Sequence, residues 1–185
     1  MRVGLLGLQG AFLDHIPHLE RCKVTPVVVR DVQSLASIDR LIIPGGESTV
    51  MAKFLREFGM IEPLQERIAS GMPVWGVCAG AILLAGQIDG SRGIIDALAI
   101  SVIRNAYGRQ IASDTHSIQI ALLGLKEYPA IFIRAPRINC VGQGVTVHAS
   151  RDQDPVFVQK DRMLASTFHP ELNADDVFHR YFISL

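Results

Sequence analysis

The sequence has no excess of charge of either sign. Its 18 lysines and arginines balance 18 aspartates and glutamates, and the basic residues form no stripe. Nucleic-acid binders need such a stripe to meet phosphates, so a small molecule or a protein is the expected partner. Cysteine is scarce. Cys22, Cys78 and Cys140 are scattered without C-x-x-C spacing, which argues against a zinc site or a dithiol redox motif. Three isolated cysteines fit reduced thiols and a cytoplasmic protein. No secretory leader is expected: the apolar run Val3–Leu8 is short, Gln9 and Asp14 follow closely, and no small-residue cleavage site is present. The longest apolar stretch, Val74–Gly86, is too short and too rich in glycine to span a bilayer. Repeats, low-complexity tracts and linkers are also missing. With 49% apolar and 19% charged residues, the chain has a globular balance, and residues 1–185 are expected to fold as one domain.

Strand-like and helix-like segments alternate through the first half. Arg2–Leu8, Val24–Arg30, Arg40–Ile43 and Val74–Val77 read as short strands, the first and last apolar enough to be buried on both faces. Helical spacing covers Ala11–Cys22, with Pro17 as a kink, then Thr49–Phe58, Glu62–Ser70 and Ala79–Ala85. Repeated β-α units imply a parallel sheet with helices on both faces. The second half is richer in strands: Ala99–Ile103, Ser117–Leu122, Ile131–Arg134, Val145–Ala149, Val156–Gln159 and Leu164–Phe168, closed by a helix over Asp175–Ile183. An α/β domain with an antiparallel insertion is the economical reading.

Gly76-Val77-Cys78-Ala79-Gly80 lies between a buried strand and a helix. This is the G-x-nucleophile-x-G pattern. A nucleophile at the tip of a sharp strand-to-helix turn has close backbone neighbours, and glycines two before and two after relieve the clash. The turn also sets the sulfur at a helix N-terminus, whose partial positive charge favours thiolate. A lone cysteine in an apolar run is usually a small core residue. The flanking glycines reverse that preference for Cys78, whereas Cys22 and Cys140 keep it.

A thiol nucleophile needs a base, and the base an orienting group. His169-Pro170-Glu171 offers both. In an extended segment residues i and i+2 share a side, so Glu171 could hold one imidazole nitrogen of His169 while the other faces the sulfur. The remaining histidines, His15, His18, His116, His148 and His179, read as surface side chains. His15 and His18 are spaced as metal ligands can be, but no third ligand accompanies them.

Pro44-Gly45-Gly46-Glu47-Ser48-Thr49 follows a strand and opens a helix, offering backbone N–H donors. Lysine is missing, and Glu47 would repel phosphate. Glu47 suits a cation such as the α-ammonium of an amino acid, and Gly46 N–H could join Ala79 N–H as an oxyanion donor. The plainer reading, that Ser48 or Thr49 caps the helix, is compatible with both.

Together these motifs resemble the class I glutamine amidotransferases. More narrowly they resemble the glutaminase subunits of pyridoxal 5'-phosphate synthases, through Leu6-Gly7-Leu8-Gln9-Gly10, Pro44–Thr49, Cys78-Ala79-Gly80, Arg104–Gln110, Phe132-Ile133-Arg134-Ala135-Pro136 and Ser166–Leu172 in that order. The resemblance implies a flavodoxin-like three-layer sandwich with a mostly parallel central sheet. It implies a Cys78–His169–Glu171 triad, glutamine held by Gly46, Glu47, Ser48, Arg104, Ile133 and Arg134, and Gln9 near a synthase subunit that receives the ammonia. No metal and no organic cofactor are implied. Val77 stands where the family commonly has threonine, and Asp114-Thr115 departs from an aromatic-acidic pair. Another class I amidotransferase or a cysteine hydrolase of the same architecture is the alternative. A non-catalytic scaffold with a relict site is the third class, and the intact triad argues against it.

Overall fold

The computed structural model describes residues 1–104, 106 and 113–185. The first half runs β1 (Arg2–Leu6), α1 (Ile16–Arg21), β2 (Thr25–Val29), α2 (Val32–Ala36), β3 (Arg40–Ile43), α3 (Ser48–Glu57), α4 (Ile61–Ala69), β4 (Val74–Val77) and α5 (Ala79–Leu84). There follow β5 (Ala85–Ile88), β6 (Ser91–Arg92), β7 (Leu98–Ile103), β8 (Ser113–Ile120), β9 (Leu125–Ile133) and β10 (Arg137–Val141). The chain closes with β11 (Thr146–Arg151), β12 (Asp154–Lys160), β13 (Met163–Ser166) and α6 (Val177–Ser184).

Among the described residues, seven strands form the central sheet in the order β11-β12-β13-β4-β3-β1-β2. From β13 to β2 every pairing is parallel, while β12 and β11 extend the sheet antiparallel. Adjacent residues along the inner strands turn to opposite faces, and both faces are apolar. Leu41, Ile43, Val74 and Ala165 join a cluster with Met51 and Leu55 of α3, Leu64 of α4 and Leu83 of α5. Ile42, Trp75, Val77 and Leu164 join another with Leu19 of α1, Phe178 and Phe182 of α6, and Tyr128 and Phe132 of β9. A strand covered on both faces has no polar side to show, which is why these segments read as unbroken apolar runs. Val77 is fully buried in the second cluster, so a side chain without a hydroxyl fits there. The β10-β7-β5-β6 sheet and the β8-β9 hairpin make up the antiparallel insertion expected in the second half, although β5 and β7 pair parallel.

Several local expectations need correction. The expected Ala11–Cys22 helix is a 3-10 turn over Phe12–His15 followed by α1, with Pro17 in the first turn of α1, where its missing N–H forfeits no bond. Helix α2 was not expected; Asp31 and Ser34 form its capping box, with Ser34 N–H donating to Asp31 Oδ1 at 2.7 Å. Helix α5 stops at Leu84 and the chain turns at once into β5. Strands β8 and β9 are longer than expected, and β10 was missed. Asp114, one of the departures from the family pattern, pairs with Arg151 at 2.8 Å.

Candidate active site

Four neighbouring strands deliver the site. The carboxyl ends of β1, β3, β4 and β13 lead to Gln9, Gly45-Gly46, Cys78 and His169, and ligands of open α/β sheets bind outside those ends. There a pocket of about 390 Å³ is lined by Gln9, Gly46, Glu47, Ser48, Cys78, Ala79, Arg104, Ile133, Arg134 and His169, among others. All the predicted glutamine-binding positions therefore face one space. Glu171 stands behind His169, outside the lining.

Cys78 has φ 50° and ψ −100°, a region that L-residues avoid at a cost of about 1–3 kcal/mol. The surroundings over-determine it. Its N–H donates to Ser166 O at 2.8 Å and its carbonyl accepts from Ile82 N–H at 3.2 Å. The flanking glycines are required by backbone contact. A Cβ on Gly76 would lie 2.5 Å from the carbonyl carbon of Gly80, and one on Gly80 would lie 2.0 Å from Ile43 O. The thiol donates toward Ile133 O at 3.8 Å, so the end of β9 roofs the cysteine. Residue Arg134, next along, is also held at positive φ, 43°.

His169 is fixed by its own N–H, which donates to Ile131 O at 2.8 Å. Its Nδ1 lies 2.7 Å from Glu171 Oε1, so Nδ1 carries a proton and Nε2 is left for the sulfur. Burial disfavours the imidazolium, but the neighbouring Cys78 and the hydrogen bond to Glu171 outweigh it and raise the pKa to about 10. Burial likewise works against the Glu171 carboxylate, and the bond from His169 with the nearby His15 and His169 charges prevails, holding its pKa below the usual value. The extended i, i+2 geometry expected for this pair is corrected. Pro170–Leu172 is a 3-10 turn, and the strand ends at Ser166 rather than Phe168. The turn still returns the glutamate to its histidine because Pro170 starts it immediately.

The glycine loop is stitched to the chain after β1. Ala11 N–H donates to Gly45 O at 2.9 Å, and Glu47 N–H donates to Gln9 Oε1 at 2.7 Å. Gly45 has no room for a side chain, since a Cβ there would be 2.4 Å from His169 Cε1. Gln9 is thus part of the pocket wall. Glu47, rather than Ser48 or Thr49, is the N-cap of α3 and accepts from Thr49 Oγ1–H at 2.9 Å. Ser48 is buried against the pocket. Arg104 is tied through Nε to Asp89 Oδ2 at 2.7 Å, which leaves its terminal nitrogens to meet a carboxylate. Asn105, Tyr107, Gly108, Arg109 and Gln110 of the same motif lie outside the described residues.

Three of the histidines expected at the surface lie inside the fold. His15, His18 and His179 are buried, not surface side chains. Among the described residues, no group of three or more His, Cys, Asp or Glu side chains is disposed to hold a metal ion. Spacing brings only His15 and His18 together, because His179 comes from the opposite end of the chain.

A mostly parallel sheet carrying thiol, imidazole and carboxylate at its strand ends is the architecture of the glutamine amidotransferases. The chain belongs to the SNO glutamine amidotransferase family, whose model matches residues 5–185. It is 46% identical to the pyridoxal 5'-phosphate synthase subunit PdxT of Clostridium acetobutylicum, over all of both chains. It is 45% identical to the subunit of the same name from Thermotoga maritima, over all of this chain and 99% of that one. A solved glutamine amidotransferase crystal structure superposes with a TM-score of 0.92 at 40% identity, covering 98% of this chain and 97% of that one.

Proposed function

We propose that this protein hydrolyses the side-chain amide of L-glutamine and delivers the ammonia to the synthase subunit of pyridoxal 5'-phosphate synthase. It does so as one cytoplasmic domain docked on that subunit. The single observation that carries the chemistry is the His169 Nδ1 contact to Glu171 at 2.7 Å, with Cys78 held at positive φ beside the same imidazole. The full-length similarity to two pyridoxal 5'-phosphate synthase subunits supports the destination of the ammonia. No helix of the described residues is long and apolar enough to cross a membrane.

The thiolate of Cys78, its proton held on His169, attacks the amide carbon of glutamine. The tetrahedral oxyanion takes N–H bonds from Gly46 and Ala79; losing one such donor typically costs about 2.7–4 kcal/mol of transition-state stabilisation. His169 gives its proton to the departing nitrogen, so ammonia leaves and a γ-glutamyl thioester remains. The same imidazole then takes a proton from water, hydroxide attacks the thioester, and glutamate leaves as the thiol is restored. Arg104 with Arg134 suits the α-carboxylate, and Glu47 the α-ammonium. Gln9 holds the glycine loop through Glu47 N–H, so a subunit docking near Gln9 would act directly on the Gly46 donor.

Replacing Cys78 by alanine abolishes glutamate release measured with the synthase subunit present, while the folded state survives. Retained turnover in Cys78→Ala overturns the reading.

A further inference from the structure

The β8-β9 hairpin meets both halves of the catalytic pair through main-chain oxygens. Ile131 O accepts the N–H of His169 at 2.8 Å, and Ile133 O accepts from the thiol of Cys78 at 3.8 Å. Phe132 lies between them, and its side chain is buried in the core. There it packs edge-on against Phe168, the residue before His169, with ring centres 5.8 Å apart and planes at 62°. Whatever fixes Phe132 therefore fixes the two oxygens on either side of it. The hairpin needs such fixing. Among the described residues it pairs with no strand of the other two sheets, and a two-stranded hairpin is marginal by itself.

One anchor comes from the edge of the central sheet. Arg151 ends β11, the edge strand. Its Nη2–H donates to Asp114 Oδ2 at 2.8 Å, and its Cζ lies 5.0 Å from the centre of the Phe132 ring. Asp114 and Phe132 are register partners across the hairpin, so they stand side by side on one face. A single guanidinium thus holds both strands of the hairpin at the level of the catalytic contacts. The Arg151 side chain is only 14% exposed and that of Asp114 38%. Burial strengthens a cation over an aromatic face, and a partly buried pair is screened less than a surface one. Asp114 stands where the family pattern has an aromatic residue, and Arg151 supplies the partner that this carboxylate requires.

We propose that Arg151 is a positioning residue for glutamine hydrolysis. Through Asp114 and Phe132 it fixes the end of β9, so that Ile131 O holds His169 and Ile133-Arg134 closes the pocket. Arg151 itself is not part of the pocket lining. Two demands meet at this end of β9. The main-chain tie to His169 sets where the imidazole faces the sulfur. Arg134, held at φ 43° directly after Ile133, is a cation suited to the α-carboxylate of the substrate. A hairpin end that swings disturbs both, so substrate binding and turnover fall together. A merely structural arginine would change the thermal stability and leave both kinetic constants alone.

The proposal rests on the glutaminase reading, and amide hydrogen exchange separates the two because it needs no turnover. Arg151→Met keeps the apolar stem over Phe132 and loses the charge. Arg151→Lys keeps a cation within reach of the ring and of Asp114. With the synthase subunit present, Arg151→Met should lower kcat/KM for glutamine on the order of 100-fold, the cost of a small misplacement, with KM raised and kcat lowered. Arg151→Lys should recover most of the loss. In the free protein the His169 amide should exchange about 10-fold faster in Arg151→Met, while amides of β1, β3 and β4 keep their rates. Asp114→Asn should move every readout in the same direction by less, and it decides the matter if Arg151→Met does not fold. Wild-type kcat/KM in Arg151→Met overturns the proposal. So does lost activity with unchanged His169 exchange, with equal acceleration throughout the central sheet, or with no recovery in Arg151→Lys. Wild-type protein without glutaminase activity overturns the glutaminase reading instead, and the exchange comparison still decides whether Arg151 holds His169 in place.

Discussion

Acidification should unfold this protein through its buried histidines before its carboxylates are protonated. His15 is fully buried, and burial, opposed by Glu171, pushes its pKa down to about 4. An unfolded histidine titrates near 6.5. Between these values the unfolded chain binds a proton that the folded chain refuses, so stability falls as the pH falls. The window is about 2.5 pH units wide, and at 1.36 kcal/mol per unit His15 alone removes about 3 kcal/mol by pH 4. That is a large part of a typical 5–15 kcal/mol. His179 acts in the same direction, its pKa lowered by burial and by His15, His18 and Arg21. His169 does not interfere, because its raised pKa places its contribution fully below pH 6.5 and loses it only as the pH climbs toward 10. The depressed carboxylates, Glu171 and Asp176 among them, lose their contribution only below their ordinary values of 4.5 and 3.8. Urea midpoints measured from pH 8 to 4.5 should therefore drop steeply below 6.5 in the wild type and more gently in His15→Gln. Identical slopes in the two proteins would refute the reasoning.

Two further substitutions probe the elbow and the pocket rim. Gly80→Ala drives a Cβ to 2.0 Å from Ile43 O, backbone that cannot rotate away; overpacking of this kind typically costs about 1–3 kcal/mol, and both the urea midpoint and Cys78 alkylation should fall. Asp89→Asn weakens the 2.7 Å tie to Arg104; the pair is more than one-third exposed, so stability should change by less than about 1 kcal/mol, while KM for glutamine rises several-fold at constant kcat in steady-state assays.

What the sequence disclosed was local. The elbow was legible because a strained turn needs glycine at fixed offsets, and backbone atoms crowd the places those missing Cβ atoms would take. The buried strands were legible because both faces are covered. The β5–β6 hairpin carried a signal that went unread: Asp89-Gly90 sits at its turn with both residues at positive φ, the Asp-Gly signature of a two-residue loop. Strand β10 carried none, since its alternation is broken by a bulge between Ile138 and Cys140. Glu47 as a cap was hidden by the presence of Ser48 and Thr49, stronger cap formers, immediately after it. The histidine cluster was illegible for a different reason. Its members become buried neighbours only when the helix after β1 and the last helix pack on the same face of the sheet.

The triad depends on the same kind of long-range fact. Strands β5 to β12 lie between Cys78 and the β13 strand that leads to His169, and nothing local says that β13 returns to lie beside β4. In the sheet it does, with Ser166 level with Val77 and Ser166 O accepting the N–H of Cys78. That register makes β4 and β13 end together, so the residues that follow them meet across one pocket. The hairpin then completes the site from above, with Ile131 O holding His169 and Ile133 O receiving the thiol. A one-residue slip of β13 would turn its side chains to the opposite face of the sheet. Trp75 Nε1–H, which donates to Ser166 Oγ at 3.1 Å in the buried core, opposes that slip, since it would leave both polar groups buried and unpaired. The core thus fixes the register, and the register fixes the distance between thiol and imidazole.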